Sequence, residues 1–110
     1  MKYVMNSPVL TSYGTFRFKK VNLEEAKSFV KSGEFISSIG HKATSELLTL
    51  LLETEIPMNR ITIEMKPGDQ ALITKLKIRL EEGKVLSLTE LIELYEKGQI
   101  EFGILEMIEE

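Results

Sequence analysis

The stretch from Ser38 to Thr44 contains the only histidine of the chain, His41. Gly40 precedes it and would allow the backbone to approach a ligand closely. The leucine-rich run that follows, residues 47–52, predicts a buried helix with His41 in its first turn. The free backbone N–H groups at the N-terminus of this helix, and the positive end of the helix dipole, favour a bound anion there. Because a histidine side chain has a reference pKa of about 6.5, it could donate a proton beside a phosphate.

The spacing around His41 also has a simpler interpretation. A histidine before an apolar helix can cap that helix or pack near its start, and single short motifs often arise by chance. On spacing alone, the simpler interpretation of His41 is preferred. Further residues are needed before a site can be proposed.

A second set of candidate residues lies in the predicted strand 70–80. Alternation places Lys75, Lys77 and Arg79 on one face of that strand. Three cations in a row could bind successive phosphates, although a charged face of this kind also protects an edge strand from aggregation. Arg79 is at the predicted strand end, where a guanidinium could bind a phosphate through two parallel hydrogen bonds.

Four other polar residues are candidates by position. Arg60 begins a predicted strand and could add a cation, or form a surface ion pair with a glutamate. Glu82 lies in a polar turn and could position a reacting group or act as a base, or be an ordinary loop carboxylate; its neighbour Glu81 has nearly the same claim. Asn6 and Ser7 follow the first predicted strand, where ligand-contacting loops lie in α/β sheets, although both could simply cap the turn.

The composition limits the class of protein. At 110 residues with 43% apolar residues, the chain should form one domain over residues 1–110. The absence of cysteine excludes disulfides and thiolate metal sites, and one histidine excludes a multi-histidine metal site within one chain. A net charge of −3 argues against duplex DNA as a partner. Neither a signal peptide nor a membrane span is recognisable, so we expect a cytoplasmic protein without a membrane partner.

The candidate residues must be positioned by a mixture of strands and helices. Helices are predicted from Asn22 to about Ser32, from His41 to Glu53, and from Ser87 onward, since Asn22 and Ser87 have N-cap character. Strands are predicted over 3–5, 15–21, 60–66, 70–80 and 100–108, with 35–36 as a short strand or a link. A Pro-Gly-Asp turn should join 60–66 to 70–80 as an antiparallel hairpin. The predicted fold is α/β, a mixed sheet flanked by about three helices.

Three segments in register resemble the type III anti-CRISPR ring-nuclease family, which occurs in archaeal viruses and bacterial mobile elements. They are Ser38-Ile39-Gly40-His41-Lys42-Ala43-Thr44, Asn59-Arg60-Ile61 and Arg79-Leu80-Glu81-Glu82-Gly83-Lys84, the last followed by Leu88-Thr89-Glu90. The resemblance covers nearly the whole chain, and three motifs together are more specific than any one. It implies a homodimer that cleaves cyclic tetra-adenylate and so switches off type III CRISPR signalling.

The resemblance also assigns roles. His41 matches the general acid, and Arg79 and Glu82 match the other active-site positions. Arg60 matches a ligand-contacting arginine, and Asn6 a polar contact after the first strand.

The remaining expected ligand contacts are Ser7, Gly40 and Lys75. This chain departs from the family pattern at Lys75, where a relative has glutamine, and around Ser7. Cleavage in the family needs no metal and no cofactor, and yields linear products with a 2′,3′-cyclic phosphate.

The chemistry of RNA is compatible with these roles. RNA carries its own nucleophile, the 2′-hydroxyl, so an enzyme need only align it, stabilise the phosphate and protonate the leaving 5′-oxygen. Two other classes of function stay open at this point. One is a sensor that binds the cyclic oligonucleotide without cutting it, and the other is a small acidic regulator that binds another protein.

Overall fold

Apolar alternation and capping residues divide the described chain into five strands and three helices. The computed structural model describes residues 1–5, 13–77 and 86–109. In chain order the elements are β1 (Lys2–Met5), β2 (Thr15–Val21), α1 (Leu23–Lys31), β3 (Ile36–Ser38), α2 (Lys42–Leu52), β4 (Gln70–Leu76), α3 (Leu88–Glu96) and β5 (Ile100–Glu109).

The strands form one mixed sheet in the order β2-β5-β4-β1-β3. β1 pairs in parallel with β3 and with β4, whereas β5 pairs antiparallel with β4 and with β2. The carboxyl ends of β1, β3 and β4 therefore lie at the same edge of the sheet, which we call the carboxyl edge. This architecture confirms the predicted single α/β domain with a mixed sheet and three helices.

All three helices pack on one face of the sheet. Their starts follow from local chemistry: Asn22 accepts a hydrogen bond from the backbone N–H of Glu25 (2.8 Å), and Ser87 accepts one from Glu90 (3.2 Å). Both form capping boxes at the predicted helix starts. The face they cover is closed by buried apolar residues: Val4, Leu72 and Phe102 of the sheet, Phe29 of α1 and Leu48 of α2.

The opposite face of the sheet is covered by residues 60–66, for which the predicted secondary structure is wrong. Residues 60–66 are predicted as a strand in a hairpin with 70–80, but they form no strand, and β4 pairs with β1 and β5 instead. Both edges of β4 are thus occupied, so no edge is left for a hairpin partner. Ile63 and Met65 are buried against Ile73 and Leu105 on the sheet face, and this packing accounts for the alternation.

β4 is also shorter than predicted in the described residues. It ends at Leu76, and residues 78–80 of the predicted strand lie outside the described residues. The central part, residues 71–74, is buried on both faces, as expected for a strand between two neighbours. Only Lys75 is exposed within the strand.

Candidate functional site at the carboxyl edge

His41 lies directly beyond β3, at the carboxyl edge. It is the N-cap residue of α2 rather than a member of its first turn, and its backbone is extended, with φ −127° and ψ 132°. Its carbonyl accepts a hydrogen bond from the backbone N–H of Ser45 (3.0 Å). The side chain is exposed and makes no capping hydrogen bond. The imidazole is therefore accessible from solvent and does not cap the helix through its side chain.

The N-terminus of α2 differs from those of α1 and α3. Those two helices have carboxylates in the first turn and capping boxes, whereas the first turn of α2 has no acidic residue. Lys42, the first residue of α2, is exposed next to His41. The positive end of the helix dipole is thus not neutralised within its own first turn, which favours an anion there.

Residues 58–61, which we call the flanking segment, run beside the end of β3. Met58 forms an isolated parallel bridge with Ile39. Asn59 donates its backbone N–H to the carbonyl of Ile39 (2.8 Å) and its side-chain Nδ2 to the carbonyl of Ser37 (2.9 Å). The flanking segment therefore satisfies the outer edge of β3 without forming a strand of its own.

Arg60 links the flanking segment to the residue before His41. Its Nε donates to the carbonyl of Gly40 (2.9 Å), and the side chain is exposed. A guanidinium has five N–H donors, so four remain after this bond. A Cβ at Gly40 would stand 3.8 Å from the Cγ of Arg60, an ordinary contact. The predicted residues Gly40, His41 and Arg60 are thus brought together.

Lys75 lies at the same edge, on the face of β4 that points away from the three helices. Met5 pairs with Ser38 on one side and with Ile73 on the other, so the ends of β3 and β4 are separated by β1. Two strand spacings correspond to about 10 Å. Lys75 therefore belongs to the same edge as His41, without being adjacent to it.

Glu101 stands opposite Lys75 in the sheet and was not singled out from the sequence. Its carboxylate pairs with Lys20 (2.6 Å) and, more weakly, with Lys77 (3.9 Å). The hydrogen bond from Lys20 holds the pKa of the Glu101 carboxyl below its ordinary value despite desolvation, and the charges of Lys20, Lys77 and Lys75 add to this. These groups form a basic surface with one neutralising carboxylate.

The other predicted site residues, Asn6, Ser7, Arg79 and Glu82, lie outside the described residues. In sequence, the first two follow β1 and the last two follow β4, and both strands end at the carboxyl edge. Their assigned roles stay predictions.

Sequence reasoning gave no role to Asn59, which makes two of the hydrogen bonds at the end of β3. The only signal was its place in the Asn59-Arg60-Ile61 motif, because a contact between an asparagine and carbonyls 20 residues earlier has no local pattern. Glu101 was missed for the same reason, since its partners Lys20 and Lys77 are distant in sequence.

Two features, a cluster of metal ligands and a membrane-spanning helix, are absent from the described residues. In residues 1–5, 13–77 and 86–109, no group of three or more histidine, aspartate or glutamate side chains is arranged to hold a metal ion. None of the helices in this part of the chain combines the length and the apolar character needed to cross a membrane.

Known proteins with similar sequences come from viruses and from a bacterium. A family model described as STIV B116-like matches residues 2–102. Uncharacterized protein 26 of Sulfolobus islandicus filamentous virus (isolate Iceland/Hveragerdi) is 42% identical over 97 residues, which is 84% of this chain and 82% of that protein. Uncharacterized protein YddF of Bacillus subtilis (strain 168) is 34% identical over 103 residues, which is 92% of each chain.

A solved structure of a viral protein is also similar to this chain. B116 of Sulfolobus turreted icosahedral virus (STIV) is 32% identical and superposes with a TM-score of 0.71, covering 96% of this chain and 97% of that chain. The likeness therefore extends over nearly the whole chain.

Proposed function

This chain belongs to the STIV B116-like family, and we propose that it is a metal-independent ring nuclease that binds and cleaves cyclic tetra-adenylate. One observation carries the proposal: the exposed imidazole of His41 stands at an uncapped helix N-terminus, beside Arg60. This arrangement offers a proton donor and a cation to a phosphodiester at the same edge.

The reaction we propose is an attack of the ligand's 2′-hydroxyl on the adjacent phosphorus. The 2′-hydroxyl gives its proton to water as the new P–O bond forms, the bond between phosphorus and the 5′-oxygen breaks, and His41 gives its proton to that oxygen. A proton from water then restores His41. The products are a 2′,3′-cyclic phosphate and a free 5′-hydroxyl. General acid catalysis typically contributes about 10²–10⁴-fold.

Cations around the carboxyl edge support binding of the phosphates. Arg60 has unused guanidinium donors, and Lys75 is exposed on the same edge. By the resemblance, Arg79 stabilises the reacting phosphate and Glu82 positions the reacting groups. Charge-assisted contacts of this kind are stronger than neutral hydrogen bonds.

We propose that two copies of the chain form the site together. A cyclic tetranucleotide carries four phosphates, whereas one chain has a single histidine and a net charge of −3. A two-fold dimer would present one His41 to each of two opposite phosphodiesters and would double the local positive potential. The viral origin of several of the relatives supports a role in switching off type III CRISPR signalling.

The direct test is incubation of labelled cyclic tetra-adenylate with the purified protein in the presence of EDTA. We expect linear products that end in a 2′,3′-cyclic phosphate. The control is the His41→Ala variant, which should bind the ring without cutting it. Binding by the wild-type protein without any cleavage would make the chain a sensor, and absence of binding would contradict the proposed function.

A further inference from the structure

We infer that Asn59 is a positioning residue that fixes the backbone carrying His41, so that its loss lowers turnover more than ligand binding. The inference rests on the proposed function for its kinetic part. Its structural part, that Asn59 sets the environment of His41, can be tested without any reaction.

The need for such a residue comes from the position of β3 in the sheet. Among the described strands, β3 lies at the edge of the sheet and pairs with β1 alone. Backbone groups on the outer edge of such a strand have no ladder partner, and alternate residues point outward. Ser37 and Ile39 are two such alternate residues, and they immediately precede Gly40 and His41.

Asn59 satisfies both of these outward carbonyls by itself. Its backbone N–H donates to Ile39 (2.8 Å), as a neighbouring strand would, and its side-chain Nδ2 donates to Ser37 (2.9 Å). Ser37 is buried and Ile39 has no exposed surface, so water is a poor substitute for these donors. Asn59 therefore restrains the backbone at Ser37 and Ile39, directly before Gly40 and His41.

The next bond along the chain extends this restraint to the residue before His41. Arg60 donates Nε to the carbonyl of Gly40 (2.9 Å), and Ser38 donates its hydroxyl to the carbonyl of Ile61 (3.0 Å) in the reverse direction. The flanking segment and the end of β3 are thus joined residue by residue. The side chain of His41 makes no capping bond, so its orientation depends on this backbone.

Asn59 does not need to contact the ligand for this role. Its amide is used on Ser37, and its backbone N–H on Ile39. A displacement of a catalytic group by about 1 Å can cost on the order of 10²-fold in rate. Loosening the end of β3 should therefore affect the proton transfer by His41, whereas the cations that bind the ligand keep their charges.

The test compares three variants with the wild-type protein. Asn59→Asp keeps the size of the side chain but replaces the donor by an acceptor facing a carbonyl, and Asn59→Ala removes the side chain. The matched control is Met58→Ala, which alters a half-exposed side chain in the same segment. Folding of each variant is checked by thermal unfolding, and Asn59→Ser, which is too short to reach the carbonyl of Ser37, replaces any Asn59 variant that does not fold.

The first readout is independent of activity. His41 is the only histidine, so its imidazole Hε1 proton gives a single, unambiguous signal in NMR spectra. We expect this signal to shift or broaden in both Asn59 variants and to stay unchanged in Met58→Ala. An unchanged His41 signal in folded Asn59 variants would overturn the inference, whatever the protein does to cyclic tetra-adenylate.

The second readout is the kinetics on cyclic tetra-adenylate. We expect kcat of the Asn59 variants to fall by about 10-fold to 10²-fold, with KM close to that of the wild-type protein. A rise in KM at unchanged kcat would contradict the positioning role and make Asn59 a binding residue. If the wild-type protein cleaves nothing, the proposed function fails, and the NMR result alone decides whether Asn59 positions His41.

Discussion

At the scale of single residues, the exposed imidazole of His41 is the group with most potential for chemistry. Its position at the N-cap of α2 comes from the sequence around it, because β3 ends at Ser38 and the leucines of α2 bury the helix that follows. The imidazole itself is left without a structural task, since it neither caps nor packs. A side chain that contributes little to the fold can be changed without unfolding the protein.

This property makes His41→Ala a clean test. We expect the variant to unfold at nearly the same temperature as the wild-type protein, to bind cyclic tetra-adenylate, and to lose cleavage by about 10²–10⁴-fold. Near-normal cleavage by purified His41→Ala would refute the assignment of the acid.

At the scale of elements, the helix starts show two different solutions to the same problem. α1 and α3 begin with side-chain caps that satisfy free N–H groups, and α2 begins with an exposed histidine that does not. The capped helices have acidic residues in their first turn, which complement the dipole. The difference indicates that the starts of α1 and α3 serve stability, whereas the start of α2 is open to an anion.

The two caps can be tested through stability. Asn22→Ala and Ser87→Ala should each lower the free energy of unfolding by about 1 kcal/mol, because each leaves a helix N–H without its partner. Urea unfolding followed by circular dichroism measures the change. The matched variants Asn22→Asp and Ser87→Thr keep an acceptor at the cap, so they should lose much less, and an equal loss in these variants would argue against capping as the cause.

At the scale of the whole molecule, ion pairs join elements that are distant in sequence. Glu53 follows α2 and pairs with Lys27 (3.4 Å) and Lys31 (3.6 Å) of α1. The hydrogen bond and charge of Lys27, with a smaller contribution from Lys31, hold the pKa of the Glu53 carboxyl below its ordinary value. Glu101 of β5 is held in the same direction by Lys20 of β2.

These shifts predict a loss of stability in acid. A carboxyl whose pKa is lower in the folded state stabilises the fold fully above its unfolded value of 4.5, and the contribution disappears as pH falls through the folded pKa. Glu53→Gln combined with Glu101→Gln should therefore be less stable than wild type at about pH 7, and the difference in stability should be smaller at about pH 3. Urea unfolding at both pH values measures this, and a constant difference would contradict the assignment.

The second prediction at this scale concerns the oligomeric state of the active protein. If two chains share the ligand, the active protein should have twice the mass of one chain in sedimentation or light scattering at micromolar concentration. Specific activity should fall on dilution below the dissociation constant of the dimer. A strictly monomeric protein that cleaves the ring at full rate would refute the shared site, even with His41 as its acid.

The sequence by itself determined the features whose causes are local. Asn22 and Ser87 predict helix starts because their side chains bond to N–H groups three residues away, and the structure has both. The alternation in 15–21 and the apolar run 100–108 each predict a strand that the structure contains. His41 was recognised as a candidate from its neighbours alone.

Only the tertiary structure decided which edges pair and which backbone groups need a partner. Residues 60–66 alternate like a strand, yet they pack on a sheet face, because β1 and β5 occupy both edges of β4. For the same reason the contribution of Asn59 is invisible in the sequence. The carbonyls of Ser37 and Ile39 lack a partner strand only once β3 has taken the outer position in the sheet, and only then does Asn59 have a role.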